Sequence, residues 1–89
     1  MKPTLANAAN TLVPAYLALL KRGLSVSRDP SLVTDSGEHY WIAEGADLRF
    51  VAEDLVALLG LVALYETRGP SWQASDEDID QFLAEFDVP

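Results

Sequence analysis

The chain has 89 residues, 49% of them hydrophobic and 22% charged, with no cysteine and a formal charge of −8. This composition fits one globular domain, residues 1–89, and argues against a disordered chain, while the lack of cysteine excludes disulfides, thiolate metal sites and cysteine nucleophiles. The charge is uneven, +3 over residues 1–30, −5 over 31–69 and −6 over 70–89, and such a field repels nucleic-acid phosphates, which excludes that partner class first.

The opening stretch MKPTLANAAN has one lysine but no apolar core of a signal peptide. The longest mostly apolar run, Leu55 to Tyr65, spans as a helix about 16 Å of a bilayer core of roughly 30 Å. The expectation is a cytoplasmic protein with no membrane segment. Residues 4–22 predict the first helix. Thr4 is its candidate cap, and Leu5, Ala9, Leu12, Val13, Tyr16, Leu17 and Leu20 recur at helical spacing. Pro14 interrupts the pattern. It either kinks one helix or sits in the first turn of a helix restarted from Asn10 or Thr11. Lys21 and Arg22 suit the C-terminal dipole, and Gly23 suits the residue that follows the cap.

Leu24 to Arg28 alternates as a short strand or an extended linker, and Asp29-Pro30 is expected to break it. A three-stranded antiparallel meander is expected at about 32–35, 39–44 and 48–51. Its turns are Ser36-Gly37 and Gly45-Ala46-Asp47. In the middle strand Tyr40, Ile42 and Glu44 share one face, and His39, Trp41 and Ala43 share the other. Each face carries an aromatic ring, so covering one face leaves an aromatic patch on the other. Alternation alone does not fix which face is covered.

The covering element is expected at about 53–67, EDLVALLGLVALYET, with Glu53 and Asp54 in its first turn. A helix this apolar all round is buried, or gives half of its surface to an interface. Gly60, in its middle, predicts the close approach of another backbone. Arg68-Gly69-Pro70 ends it. Ser75-Asp76-Glu77-Asp78 then reads as a capping-box start. The last helix carries an apolar stripe of Ile79, Phe82, Leu83 and Phe86 opposite an acidic face. The expected fold is α+β: an N-terminal helix, a small three-stranded antiparallel meander, a buried apolar helix and a C-terminal amphipathic acidic helix, in the order α-β-β-β-α-α.

Chemistry is sparsely signalled. His39 is the single histidine. A catalytic histidine needs an orienting partner, and Glu38 and Glu44 both point to the opposite strand face. Asp35 and Arg49 remain as cross-strand neighbours. One histidine without cysteine makes no ordinary zinc site. Asp76-Glu77-Asp78-Ile79-Asp80 lacks the glycine and distal glutamate of an EF-hand loop. Nucleophile-elbow and phosphate-loop patterns do not occur. No cofactor, no metal and no enzymatic activity are expected.

What remains is a surface. Exposed aromatics and a one-sign charge field mark contact with proteins. The first reading is a small acidic cytoplasmic module that binds a basic protein, in the manner of immunity or antitoxin proteins, an analogy of class resting on no shared motif. His39 and Trp41 on the middle strand are candidate contact residues, with Glu44 and Asp47 at its end. Trp72 and the acids Asp76, Glu77 and Asp80 complete the set. The second reading is a structural homodimer formed through the apolar helix. The third is a small enzyme or enzyme subunit that uses His39.

Overall fold

The structure is a computed structural model and describes residues 2–33, 35 and 37–86, with the backbone alone of Leu32. A 3-10 turn at Ala9–Thr11 leads into helix α1 (Leu12–Lys21). Strands β1 (Ser25–Val33), β2 (His39–Glu44) and β3 (Arg49–Ala52) follow. Helix α2 (Leu55–Arg68), a 3-10 turn at Gly69–Ser71 and helix α3 (Asp76–Phe86) complete the chain. The order is the expected α-β-β-β-α-α of an α+β fold. The expected strand at 32–35 and the Ser36-Gly37 turn include Thr34 and Ser36, which lie outside the described residues. Gly37 itself has φ 89°, a conformation that glycine adopts without strain.

The first helix starts later than its periodicity suggests. Thr4 lies outside any helix, and the chain turns at Ala9–Thr11, where the Thr11 hydroxyl donates to the Ala8 carbonyl at 2.6 Å. Pro14 is the third residue of α1. There its missing N–H removes no intrahelical bond, so the proline starts the helix instead of kinking it. At the other end Gly23 has φ 81°. Its N–H donates to the Leu20 carbonyl at 2.9 Å, and that of Leu24 to Leu19 at 3.3 Å. This paired C-terminal motif returns Leu24 to the core.

The sheet has the order β1-β2-β3, antiparallel throughout. Asp29 and Pro30 do not break the first strand. They lie within β1, which is an edge strand, and the register shifts between Arg28 and Val33 absorb them. Both α1 and α2 lie on the face of Val26, Trp41, Ala43, Phe50 and Ala52. Ala43 and Ala52 are small enough for the helices to come close, and Leu19 of α1 and Leu58 of α2 fill the space, both fully buried. Burying one such leucine contributes roughly 1.5–3 kcal/mol.

The opposite face carries Ile42, only 4% exposed although no helix covers it. Arg49 of β3 reaches Asp29 of β1 at 3.7 Å, a pair that must bridge over β2 on this face.

Helix α2 buries Leu55, Leu58 and Val62. Asp54 is its N-cap and not a first-turn residue, with Oδ1 accepting from the Ala57 N–H at 2.7 Å. The close approach expected at Gly60 is absent. A Cβ there would meet no atom within 4 Å, so the glycine is a local weakness and not a packing device. The helices α1 and α2 run side by side in one direction. Pro14 and Ala15 line a groove with Val56 and Leu59 at one end, and Arg22 Nε meets Glu66 Oε1 at 3.1 Å at the other.

Candidate functional site

The fold separates the candidate contact residues into three places. His39 and Trp41 stand on the helix-covered face of β2, both half-buried. The guanidinium of Arg28 lies 4.6 Å from the centre of the Trp41 ring, a cation–π contact, and it donates to the His39 carbonyl at 3.1 Å. Trp41 is therefore roofed by Arg28 and is no open contact surface. Tyr40, on the other face, is half-buried too. Neither ring of this strand stands free in solvent.

His39 Nδ1 is buried and meets no hydrogen-bond partner among the described residues. Asp29 is near enough to feel its charge, but Asp29 is engaged elsewhere. Its Oδ1 accepts from the Ser31 hydroxyl at 2.6 Å and from the Ser31 N–H at 2.8 Å. These two bonds, with weaker help from Arg49 and then His39, hold its carboxyl below the usual carboxylate range against a small opposing effect of burial. Asp29, Ser31 and His39 thus resemble a triad in residue type only. The bond between acid and histidine that would orient the imidazole is not made.

Glu44 and Asp47 sit at the β2–β3 turn, both exposed. Glu44 stands opposite Arg49 in the sheet register. They are separate from His39 and from the C-terminal acids.

Asp76, Glu77 and Asp80 belong to the third place, at the start of α3, while Trp72, ahead of that helix, lines a groove with β3 and α2. The loop before α3 is held by Arg68, whose Nε donates to the Trp72 carbonyl at 2.9 Å. The expected capping box is formed. Asp78 N–H donates to Ser75 Oγ at 3.1 Å, and Ser75 N–H returns the bond to Asp78 Oδ2 at 3.2 Å. The Ser75 N–H bond first, and the Ser75 side chain next, keep the Asp78 carboxyl below its ordinary range, with Arg68 contributing least. Asp76, Glu77 and Asp78 all fall in the first turn, where the helix dipole favours acids.

The local chemistry of α3 is thus complete, yet the helix has no extended packing against any other element. Its apolar stripe faces solvent, with Ile79 46%, Phe82 56% and Phe86 61% exposed. Phe82 and Phe86 rest on each other, ring centres 5.0 Å apart. The acids named from sequence are therefore one flank of a larger site whose centre is this stripe. The i, i+3, i+7 spacing of Ile79, Phe82 and Phe86 is visible in the sequence. Only the absence of packing marks it as a surface. Among the described residues no group of three or more carboxylates and histidines is placed to hold a metal ion, and no helix is long and apolar enough to cross a membrane.

No family model, no curated protein and no solved structure matches this chain.

Proposed function

We propose that the chain is a small cytoplasmic protein-binding module that lays α3 into an apolar groove of a basic partner protein. The observation that carries this reading is an amphipathic helix with its own N-terminal capping box, whose aromatic stripe is exposed and has no extended packing against another element among the described residues. Helix-in-groove recognition needs anchors at i, i+3 and i+7, which Ile79, Phe82 and Phe86 supply. Asp76, Glu77 and Asp80 flank them and select a groove rimmed by lysine and arginine, speeding encounter by attraction. Inhibition of a basic toxin, as immunity or antitoxin proteins achieve it, is the concrete form of such a function. This reading gives His39 no catalytic role.

The test is affinity capture from the source organism's lysate at low and high salt, beside a Phe82→Ser, Phe86→Ser double variant. The captured protein is then purified and titrated against both forms. The expected result is a basic protein that binds the parent chain, binds less tightly as salt rises, and is lost by the double variant. Equal binding by the double variant, or capture of nothing but further copies of the chain, overturns the proposal.

A further inference from the structure

A second surface lies at the outer edge of β3, beside α2. The Gly45 N–H donates to the Leu48 carbonyl at 3.0 Å, which makes that pair a hydrogen-bonded one. Bonded and non-bonded pairs alternate along an antiparallel ladder. With the register Ala43↔Phe50 and Trp41↔Ala52, Leu48, Phe50 and Ala52 turn their backbone groups toward β2. Arg49 and Val51 turn theirs outward. β3 is last in the sheet order, and no hydrogen bond among the described residues ends on those outward groups.

Sheet edges of this kind are normally blunted. The opposite edge is: β1 carries Pro30 and a shifted register, and its Ser31 N–H is taken by Asp29. The β3 edge is short and carries Arg49, but it has no proline and no shifted register. It is bordered instead by Leu48, Val51, Leu61, Leu64 and Trp72, each between 37% and 44% exposed. Together with Phe50, Tyr65 and Arg49 these side chains line a groove of about 290 Å³. Arg49 is its one charged lining residue, and its guanidinium is turned back over its own sheet to Asp29.

We propose that this edge is a homodimer interface, in which β3 of one copy pairs antiparallel with β3 of a second copy about a twofold axis. The free backbone groups call for an extended strand, and the chain supplies one that fits itself. Pairing Arg49 with Val51 of the second copy, and Val51 with its Arg49, forms four hydrogen bonds and leaves no outward group of β3 unpaired. Pairing Arg49 with Arg49 would use half of those groups and oppose two like charges. The full register places Phe50 on the axis, facing its twin on the helix-covered side, with Leu61 and Leu64 of α2 beside it. The chain exposes 7034 Å², about 1,900 Å² more than a folded monomer of its mass averages, and a standard interface takes about 800 Å² from each partner. Residues 2–7 and α3 hold part of that excess, and the β3 edge with its apolar border holds another.

The test uses the purified full chain. Sedimentation equilibrium across a concentration series is expected to show a dimer that added salt does not weaken. Val51→Pro removes an N–H that bonds nothing within the chain, and Val51→Lys places a charge on the edge. Each is expected to raise the dimer dissociation constant at least tenfold, with the circular dichroism spectrum and urea midpoint close to those of the parent. A Phe50→Cys variant gives the register directly, since the chain has no other thiol. Facing residues of a non-hydrogen-bonded pair are close enough for a disulfide, so mild oxidation is expected to yield a covalent dimer, whereas Ser27→Cys on β1 yields none. A monomer at every concentration overturns the proposal. So does a dimer that survives both Val51 variants, or one abolished by the Phe82→Ser, Phe86→Ser change, which would make α3 the occupant of the groove.

Discussion

Helices α2 and α3 have similar lengths and opposite fates. α2 spans fourteen residues, is apolar on every side and is the centre of the core, packed against α1, β2 and β3. α3 spans eleven, divides sharply into an aromatic stripe and an acidic face, and has no extended packing on another element among the described residues. An isolated helix of that length is marginal in water, so α3 depends on its capping box and α2 on its neighbours. The comparison teaches that a strong local start signal and a tertiary role are separate properties. A helix can be well specified by its ends and still be left to the surface.

The sharpest way to break this contrast is to delete one buried and one exposed apolar side chain. Leu58→Ala is expected to lower the free energy of unfolding in urea by about 3 kcal/mol, because it leaves a cavity where α2 meets the sheet. Phe82→Ala is expected to stay within about 0.5 kcal/mol, since the ring is mostly exposed and only its contact with Phe86 within α3 is lost. Equal losses would mean that α3 belongs to the cooperative core.

The caps give the next effect. Asp54→Ala removes the bond to the Ala57 N–H and is expected to cost about 1 kcal/mol of global stability. Ser75→Ala is expected to leave the urea midpoint unchanged while lowering helicity and speeding amide exchange across residues 78–86, measured by hydrogen exchange. In the opposite direction, Gly60→Ala is expected to stabilise by up to about 1 kcal/mol, because the site is open and the alanine is the better helix former.

The smallest effect is on acidity. Asp78 titrates lower folded than its ordinary value of 3.8 because Ser75 bonds the carboxylate. Its support of α3 is therefore complete above that value and is lost as the pH falls through the lower folded value. The same sign holds for Asp29 and the β1 edge, through Ser31. Loss of α3 helicity on acidification, followed by circular dichroism, is expected to be weaker in Ser75→Ala. An unchanged acid profile in that variant would remove Asp78 from the account.

Much of this was legible in the residues. The middle strand falls where alternation puts it, and Gly23 and the Ser75–Asp78 box close and open their helices as their chemistry requires. The first helix starts well after Thr4, because the apolar spacing continues through residues that form no helix. Only the 3-10 turn and Pro14 set its start. The Asp29-Pro30 break failed because an edge strand tolerates a missing N–H, and whether β1 is an edge is a property of the sheet. At the candidate site the acids of α3 were visible as charge. Their aromatic centre was visible as spacing and would have passed equally well for core.

The sequence by itself determined the local grammar of this protein: the element order, the helix ends at Gly23 and Ser75–Asp78, the alternating strand and the separation of charge between its ends. These follow from interactions spanning a few residues, which composition and spacing record. Only the tertiary structure decided which sheet face the helices cover, that α2 packs on the sheet while α3 does not, and that β3 keeps an open edge. Those outcomes depend on how closely Leu19 and Leu58 can approach Ala43 and Ala52. They depend also on which backbone groups remain once each strand has chosen its neighbour, and distance along the chain encodes neither.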